Sequence, residues 1–427
     1  MTENPHYKRT NILIVNLHSA QNLGDDAIMY ETLKGLREAY PEAHITLAAN
    51  DPESWKKYKD KDVEVTGSLT TWAIYLRNRR WRVRFTVLPL DMIRLILAVG
   101  FYRWQKKKYL FGLFEKRRLL SAYYDSDLVL SCGGGNFSAY RPLSPFFLWG
   151  LLALWLAACL GKKIIMLPQS IGPIKGTLQT NLARWVFLHA DVIMVREMRT
   201  STFISNVLRL PKPPILIPDL AFGLPEVPAQ FPQSMATCEG RLKMGLTIMD
   251  RGAQTKSFVH QQKYEESVQT LIKKLLTNRD VCIYMFSQCY GPGIDHDDRK
   301  IVWRMYNHLK DHADRIFLLS DFRDALEIKA AYKCMDCVIG TRMHTGIFAI
   351  SELIPVILIG YQPKTYGVME SLGLEQYCVD IETVDAGTLY DKVWELLEDR
   401  QNFKEQTRSL LAQTQNQLEG WTRYIGI

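Results

Sequence analysis

No apolar run in this chain of 427 residues is long enough to cross a bilayer. The opening residues, MTENPHYKRT, are polar and lead straight into an apolar segment, with neither a signal core nor a small-residue cleavage site, so export by that route is not expected. Eight cysteines are scattered without the spacing of a disulfide framework, which points to a reducing, cytoplasmic setting. Cys334 and Cys337 form a lone CxxC with no second Cys or His pair beside it, so buried packing is expected there rather than a metal or a redox couple. HExxH, a DxD between apolar strands and Cys/His clusters are also missing, so no metal and no cofactor are called for. The signatures of nucleic-acid recognition modules are absent too.

What is present is a chain too long for one ordinary domain, with 47% apolar and 23% charged residues, enough for two full cores. Apolar runs of strand length alternate with helical stretches throughout. The run Asn11 to Asn16 reads as a buried strand and Asp25 to Tyr40 as a helix with acids in its first turn and Pro41 beyond its end. Asp127 to Cys132, Ile164 to Leu167 and Asp191 to Glu197 are further strands, with Pro168 to Pro173 read as a loop. A Pro-rich segment then loses periodicity, and six more strands follow (Met244 to Ile248, Val281 to Phe286, Ile316 to Leu319, Cys337 to Ile339, Val356 to Ile359, Cys378 to Ile381). The reading is an α/β protein of two doubly wound, Rossmann-like domains facing a cleft: 1–223, a linker at 224–240, 241–400, and a polar helical tail at 401–427.

The segment from Arg77 to Arg118 is the exception in composition. It holds thirteen Lys or Arg against Asp91 and Glu115, a net charge of +11, so with the whole chain at +8 the remainder carries −3. Basicity confined to one place argues for a single positive patch and against a general nucleic-acid binder. The cations alternate with Trp72, Trp81, Phe85, Trp104, Tyr109 and Phe111 and bracket the apolar run Leu88 to Phe101. Such a mixture is the makeup of an interfacial helix lying on anionic lipid. The plainer alternative is a solvated helical hairpin inserted into the first domain. Pro145 to Leu160 is uncharged on every side and must be covered on both faces, by the sheet and by this insertion.

The stretch Val338 to Ile350, VIGTRMHTGIFAI, carries the most chemistry. A strand stops at Gly340-Thr341, three unlike side chains follow in Arg342-Met343-His344, and an apolar helix begins. The unpaired N–H groups and positive dipole end of such a helix collect anions. Arg342 adds a fixed fork for a carboxylate or phosphate, and His344 a proton donor of the kind that titrates near neutrality. As a bare triplet this pattern is weak, since a structural Arg and a core His would look the same. Arg196, at the end of another apolar strand, repeats the Arg342 geometry.

These residues do not stand alone. The segments Asn22-Leu23-Gly24-Asp25-Asp26-Ala27, Gly133-Gly134-Gly135, Gln169 to Pro173, Val195-Arg196-Glu197, Pro218-Asp219, Arg342-Met343-His344, and Pro355-Val356 followed by Lys364 resemble, in order and spacing, the polysaccharide pyruvyl transferase family. The resemblance runs from about Asn11 to Ile381. It implies transfer of the enolpyruvyl carbons of phosphoenolpyruvate onto two sugar hydroxyls as a ketal, with phosphate released, on a scaffold similar to the GT-B glycosyltransferases. Phosphoenolpyruvate is then a co-substrate, and the acceptor a saccharide of a cell-surface polysaccharide or its lipid-linked precursor.

By that resemblance Arg196 and Arg342 clamp phosphoenolpyruvate, and Asn22 and Asp25 touch substrate. His344 is the candidate acid and Lys364 a support for phosphate. Met343, Gly24, Gly134, Gly135 and Asp219 complete the expected site. Asp26 reads as a helix cap. A base for the sugar hydroxyls can come from Asp25, Glu197 or Asp219, and the sequence does not choose among them. Two rivals remain: a nucleotide-sugar glycosyltransferase of the same architecture, and a non-catalytic scaffold on the membrane surface. The expected location is the cytoplasm, peripheral on the inner face of the cytoplasmic membrane.

Overall fold

The computed structural model describes residues 9–71, 81–112, 114–230, 238, 240–254, 258–293 and 296–426, with the backbone alone at 81–88 and 253–254. Arg77, Arg79, Arg80 and Trp72 of the basic segment lie outside the described residues. The chain divides into two compact units, 1–20 with 32–219 and 420–427, and 21–31 with 220–419.

The first unit is a parallel sheet with helical crossovers. Its elements are β1 (Asn11–Leu17), the later turns of α1 (Leu23–Ala39), β2 (His44–Ala49), β3 (Val63–Gly67), α2 (Trp81–Gln105), α3 (Phe114–Asp125), β4 (Leu128–Ser131), β5 (Gly134–Ala139), α4 (Pro145–Cys159), β6 (Lys163–Ile174), α5 (Thr177–Phe187), β7 (Val192–Val195), α6 (Met198–Phe203) and β8 (Ile215–Leu216). The strand order is β3-β2-β1-β4-β6-β7-β8, and β5 pairs with β6. Ile12 to Val15 are buried without alternation, as expected of a parallel strand covered on both faces. The order reverses between β1 and β4, and the strand ends there form the crevice where ligands of such sheets sit.

One expectation changes here. The presumed loop Pro168 to Pro173 is the second half of β6, which pairs β4 through Lys163 to Met166 and β5 through Gln169 to Ile174. Pro168 has no N–H to give, and the pairing with β7 shifts register between Met166 and Gln169, which accommodates it. The described residues of the basic insertion form two helices, α2 and α3. Leu95, Ala98, Val99 and Leu119 join the sheet and Phe147, Leu151 and Leu154 of α4 in one core, and Asp91, buried, is paired by Lys116.

The second unit comprises the first turns of α1, then β9 (Leu242–Thr247), α7 (Arg251–Gln254), α8 (Gln261–Asn278), β10 (Val281–Phe286), α9 (Asp298–Asn307), β11 (Ile316–Leu319), α10 (Ala325–Tyr332), β12 (Cys337–Gly340), α11 (Met343–Ser351), β13 (Val356–Gly360), α12 (Pro363–Ser371), β14 (Cys378–Asp380), α13 (Ala386–Glu398) and α14 (Arg400–Leu418). The order β11-β10-β9-β12-β13-β14 is that of a doubly wound sheet with its switch point between β9 and β12. Segment 224–227 is held here: Lys329 donates to the carbonyls of Leu224 (3.1 Å) and Pro225 (2.9 Å). The tail helix α14 stays in this unit, and 420–427 belongs to the first.

The cysteine reading needs a correction. Cys238 and Cys282 form a disulfide across 44 residues of sequence, because the segment entering β9 runs beside β10, a proximity that spacing alone does not reveal. The argument for a reducing setting loses that support. Cys334 and Cys337 are unbonded to each other, and burial raises both thiols.

Candidate functional site

At the switch point of the second sheet, β12 gives way to α11. Arg342 caps the helix with extended backbone (φ −86°, ψ 130°), and its own side chain makes no capping hydrogen bond to the first N–H groups of α11. α12, after the neighbouring strand β13, also begins without a side-chain cap, and Lys364 lies in its first turn. Two positive helix ends and a Lys thus open on one sheet edge. Met343 is buried, so the backbone N–H is what it can offer a ligand.

Arg342 is gripped by Asp298. Its Nε donates to Oδ2 at 3.2 Å and its Nη2 to Oδ1, and among the described residues its Nη1 has no partner. Asp298 Oδ2 also accepts the N–H groups of Gln288 (3.3 Å) and Cys289 (3.0 Å). Burial pushes the Asp298 carboxyl up, while Arg342 and those N–H groups act to keep it charged. Burial would lower Arg342, and the charge of Asp298 outweighs it, so the guanidinium is held more firmly protonated than usual. The pair fixes one planar cation with one face of donors to spare. Beneath it, Thr345 donates to Gln288 Oε1 at 2.6 Å and meets Thr247 at 3.0 Å, while Thr341 and Tyr264 share a hydrogen bond of 2.7 Å.

The loop before α1 completes this site. Leu23 N–H donates to the Gln288 carbonyl (3.1 Å) and Tyr290 N–H to the Gln21 carbonyl (2.9 Å), and Asn22 bridges to Cys289. Asn22 Oδ1 accepts from Gly24 N–H at 3.2 Å. A Cβ on Gly24 would fall 2.0 Å from His344 Nδ1, so only glycine lets the imidazole lie against this loop. Asp25, half-buried in the first turn of α1, has no hydrogen bond or ion pair among the described residues. Asp26 is buried and accepts the N–H of Ala325 (3.0 Å), so it serves the start of α10 beside that helix's own cap, Asp324.

The candidates of the first unit form a separate constellation. The Arg196 side chain is fully buried. Its Nε donates to Ser170 Oγ at 2.9 Å, its Nη1 pairs with Asp219, and Glu197 lies 3.6 Å away. Nη2 has no partner among the described residues. Glu197 accepts from Ser170 (3.0 Å) and Thr200, and burial, the largest influence, raises its carboxyl above the usual range. Arg196 is thus first a scaffold cation, with one amino group left over. Gly133-Gly134-Gly135 passes into β5 instead of turning freely, with Gly134 at φ 119° and Gly135 exposed.

The family model for polysaccharide pyruvyl transferase matches residues 22–363, from the Asn22 loop through Arg342 to the start of α12. The chain belongs to that family. The amylovoran biosynthesis protein AmsJ of Erwinia amylovora is 24% identical over 412 residues, 94% of this chain and 95% of its own. Among solved structures, a putative UDP-N-acetylglucosamine 2-epimerase from Listeria monocytogenes has a TM-score of 0.57 at 10% identity, over 94% of this chain and 91% of that one. A glycosyltransferase from Rickettsia africae has 0.56 at 12%, over 98% and 100%. At such identities the likeness is one of fold, two Rossmann-like units of the GT-B kind.

For a polysaccharide pyruvyl transferase, the structure brings Asn22, Gly24, Asp25, Arg342, Met343, His344 and Lys364 into one unit, and Arg196, Asp219, Gly134 and Gly135 into the other. Sequence reasoning missed Asp298, because in Asp297-Asp298 it looks like ordinary helix capping, which is what Asp297 does. It missed Arg251 as well, whose guanidinium lies 5.1 Å from the centre of the Tyr361 ring. A lone Arg after β9 carries no signal without the fold.

Proposed function

We propose that this transferase uses phosphoenolpyruvate as donor and forms a pyruvate ketal on two hydroxyls of a saccharide. The observation that carries the reading is Arg342, held bidentate by buried Asp298 with Nη1 without a partner among the described residues, at the N-terminus of α11 and two residues before His344 in its first turn. Such a site suits a small, multiply charged anion. In the reaction, a proton goes to the methylene carbon of the enol phosphate and the electrons of the double bond take it up. Two sugar oxygens then bond to the carbon that carried phosphate, whose C–O bond to phosphate breaks. One hydroxyl proton replaces that lost by the acid and the other leaves with phosphate.

His344 is assigned as the acid and Arg342 as the anion clamp, with Lys364 and the α11 and α12 N–H groups assisting. Asp25 is assigned as the base, because Glu197 and Asp219 are engaged by buried partners whereas the Asp25 carboxylate has no hydrogen bond or ion pair among the described residues. The family and AmsJ support an acceptor in exopolysaccharide assembly, and we infer that it is lipid-linked and met at the cytoplasmic face of the membrane. No helix among the described residues is long and apolar enough to cross a membrane, so attachment would be peripheral.

The test is incubation with phosphoenolpyruvate and saccharide acceptors, reading phosphate release and product mass, beside thermal shifts with phosphoenolpyruvate, UDP and GDP. Acceptor-dependent phosphate release and stabilisation by phosphoenolpyruvate are expected. Stabilisation by a nucleoside diphosphate alone, with no phosphate released, would favour the glycosyltransferase alternative.

A further inference from the structure

Among the described residues, the helices of the basic insertion present an apolar surface that their own unit leaves exposed. α2 has two apolar stripes: Leu95, Ala98 and Val99 face the core, while Leu90, Ile93, Leu97, Phe101 and Trp104, spaced three or four residues apart, face outward. Leu97 is 64% and Trp104 79% exposed. Beside this stripe, α2, α4 and α5 enclose an open groove of about 280 Å³ lined by side chains such as Ile96, Leu152, Trp155, Leu182 and Trp185. Leu178 and Leu188 extend the surface along and past α5. Contiguous apolar area of this kind marks an interaction face.

The charges at its border identify the occupant. Arg94, Arg103, Lys106, Lys107 and Arg184 are exposed around it. The three helices carry one carboxylate, Asp91, which is buried and taken by Lys116. A second copy of the chain would set these cations against their equals, a repulsive arrangement. An anionic bilayer meets both features at once, with phosphate at the cations and acyl chains at the stripe.

We propose that the face built by α2, α4 and α5 docks on a bilayer rich in anionic phospholipid, seating the stripe Leu90 to Trp104 at the headgroup boundary. This deepens the membrane-surface part of the proposed function and is independent of the donor chemistry. The test is sedimentation of the full chain with phosphatidylglycerol or phosphatidylcholine vesicles. Wild type should pellet with the anionic vesicles only. The variant Arg103→Gln/Lys106→Gln/Lys107→Gln should partition on the order of 100-fold more weakly. Ile93→Gln/Leu97→Gln/Trp104→Gln should bind at low salt but come off at about 0.5 M salt, where wild type stays bound. Both variants should keep wild-type phosphate release on a soluble acceptor, so a failed enzymatic reading would leave this result interpretable. Wild type remaining in the supernatant would overturn the proposal, as would an apolar variant as salt-resistant as wild type. A lipid-free dimer that the apolar variant abolishes would also overturn it, showing a second copy on this face.

Discussion

Gly24 and His344 depend on each other, since any side chain at 24 would occupy the space of the imidazole. Gly24→Ala is therefore expected to displace the ring and lower turnover by roughly 10–100-fold, the usual result of misplacing a reacting group by about 1 Å. His344→Gln should lose roughly 100-fold in turnover with little change in phosphoenolpyruvate affinity, as fits a proton donor. Steady-state kinetics on the two variants checks both, and a normal turnover for His344→Gln at saturation would make His344 a binding residue only. Arg196 behaves differently. Its removal leaves Asp219 and Glu197 buried without their cation, so Arg196→Ala should cost about 3–5 kcal/mol of stability by urea unfolding, besides any loss of activity. Glu197 gives a pH signature. Its folded carboxyl is raised by burial, so the folded state holds a proton that the unfolded chain releases, and stability falls as pH rises from about 4.3 through the raised value. In urea unfolding, Glu197→Gln should lack that fall, and its stability relative to wild type should climb across the same window.

At the scale of elements, the second sheet was the most legible part. Val281–Phe286 and Ile316–Leu319 match the strands read from their apolar runs, and Cys337–Gly340 and Val356–Gly360 each extend one residue beyond, because buried parallel strands are continuous apolar runs with Gly, Asp or Ser at their ends. β6 was misread because prolines at 168 and 173 signal a loop locally, whereas pairing to β4 and β5 is decided by distant residues. The Cys238–Cys282 bond and the Lys329 anchor were hidden for the same reason. Lys329, buried against Glu352 at 3.1 Å, ties segment 224–227 to α10. Lys329→Ala should lower stability by about 3 kcal/mol and open that segment to limited proteolysis, while an unchanged cleavage pattern would remove the anchoring role.

For the molecule as a whole, the sequence showed two doubly wound units and the Arg342-Met343-His344 corner, because both are written in local pattern. It did not show Asp298, which becomes meaningful only when the start of α9 is folded beside β12, nor that the Asn22 loop belongs with the second unit. It placed Arg196 at a strand end but could not show that two carboxylates already hold it. The central claim is that Arg342, oriented by Asp298, binds the donor's anion. Isothermal titration of phosphoenolpyruvate into wild type and Arg342→Ala, with UDP as control, tests it most directly. Saturable binding of phosphoenolpyruvate to wild type, lost by roughly 100-fold or more in Arg342→Ala and not reproduced by UDP, is the predicted result; equal binding to both proteins, or binding of UDP in place of phosphoenolpyruvate, would contradict it.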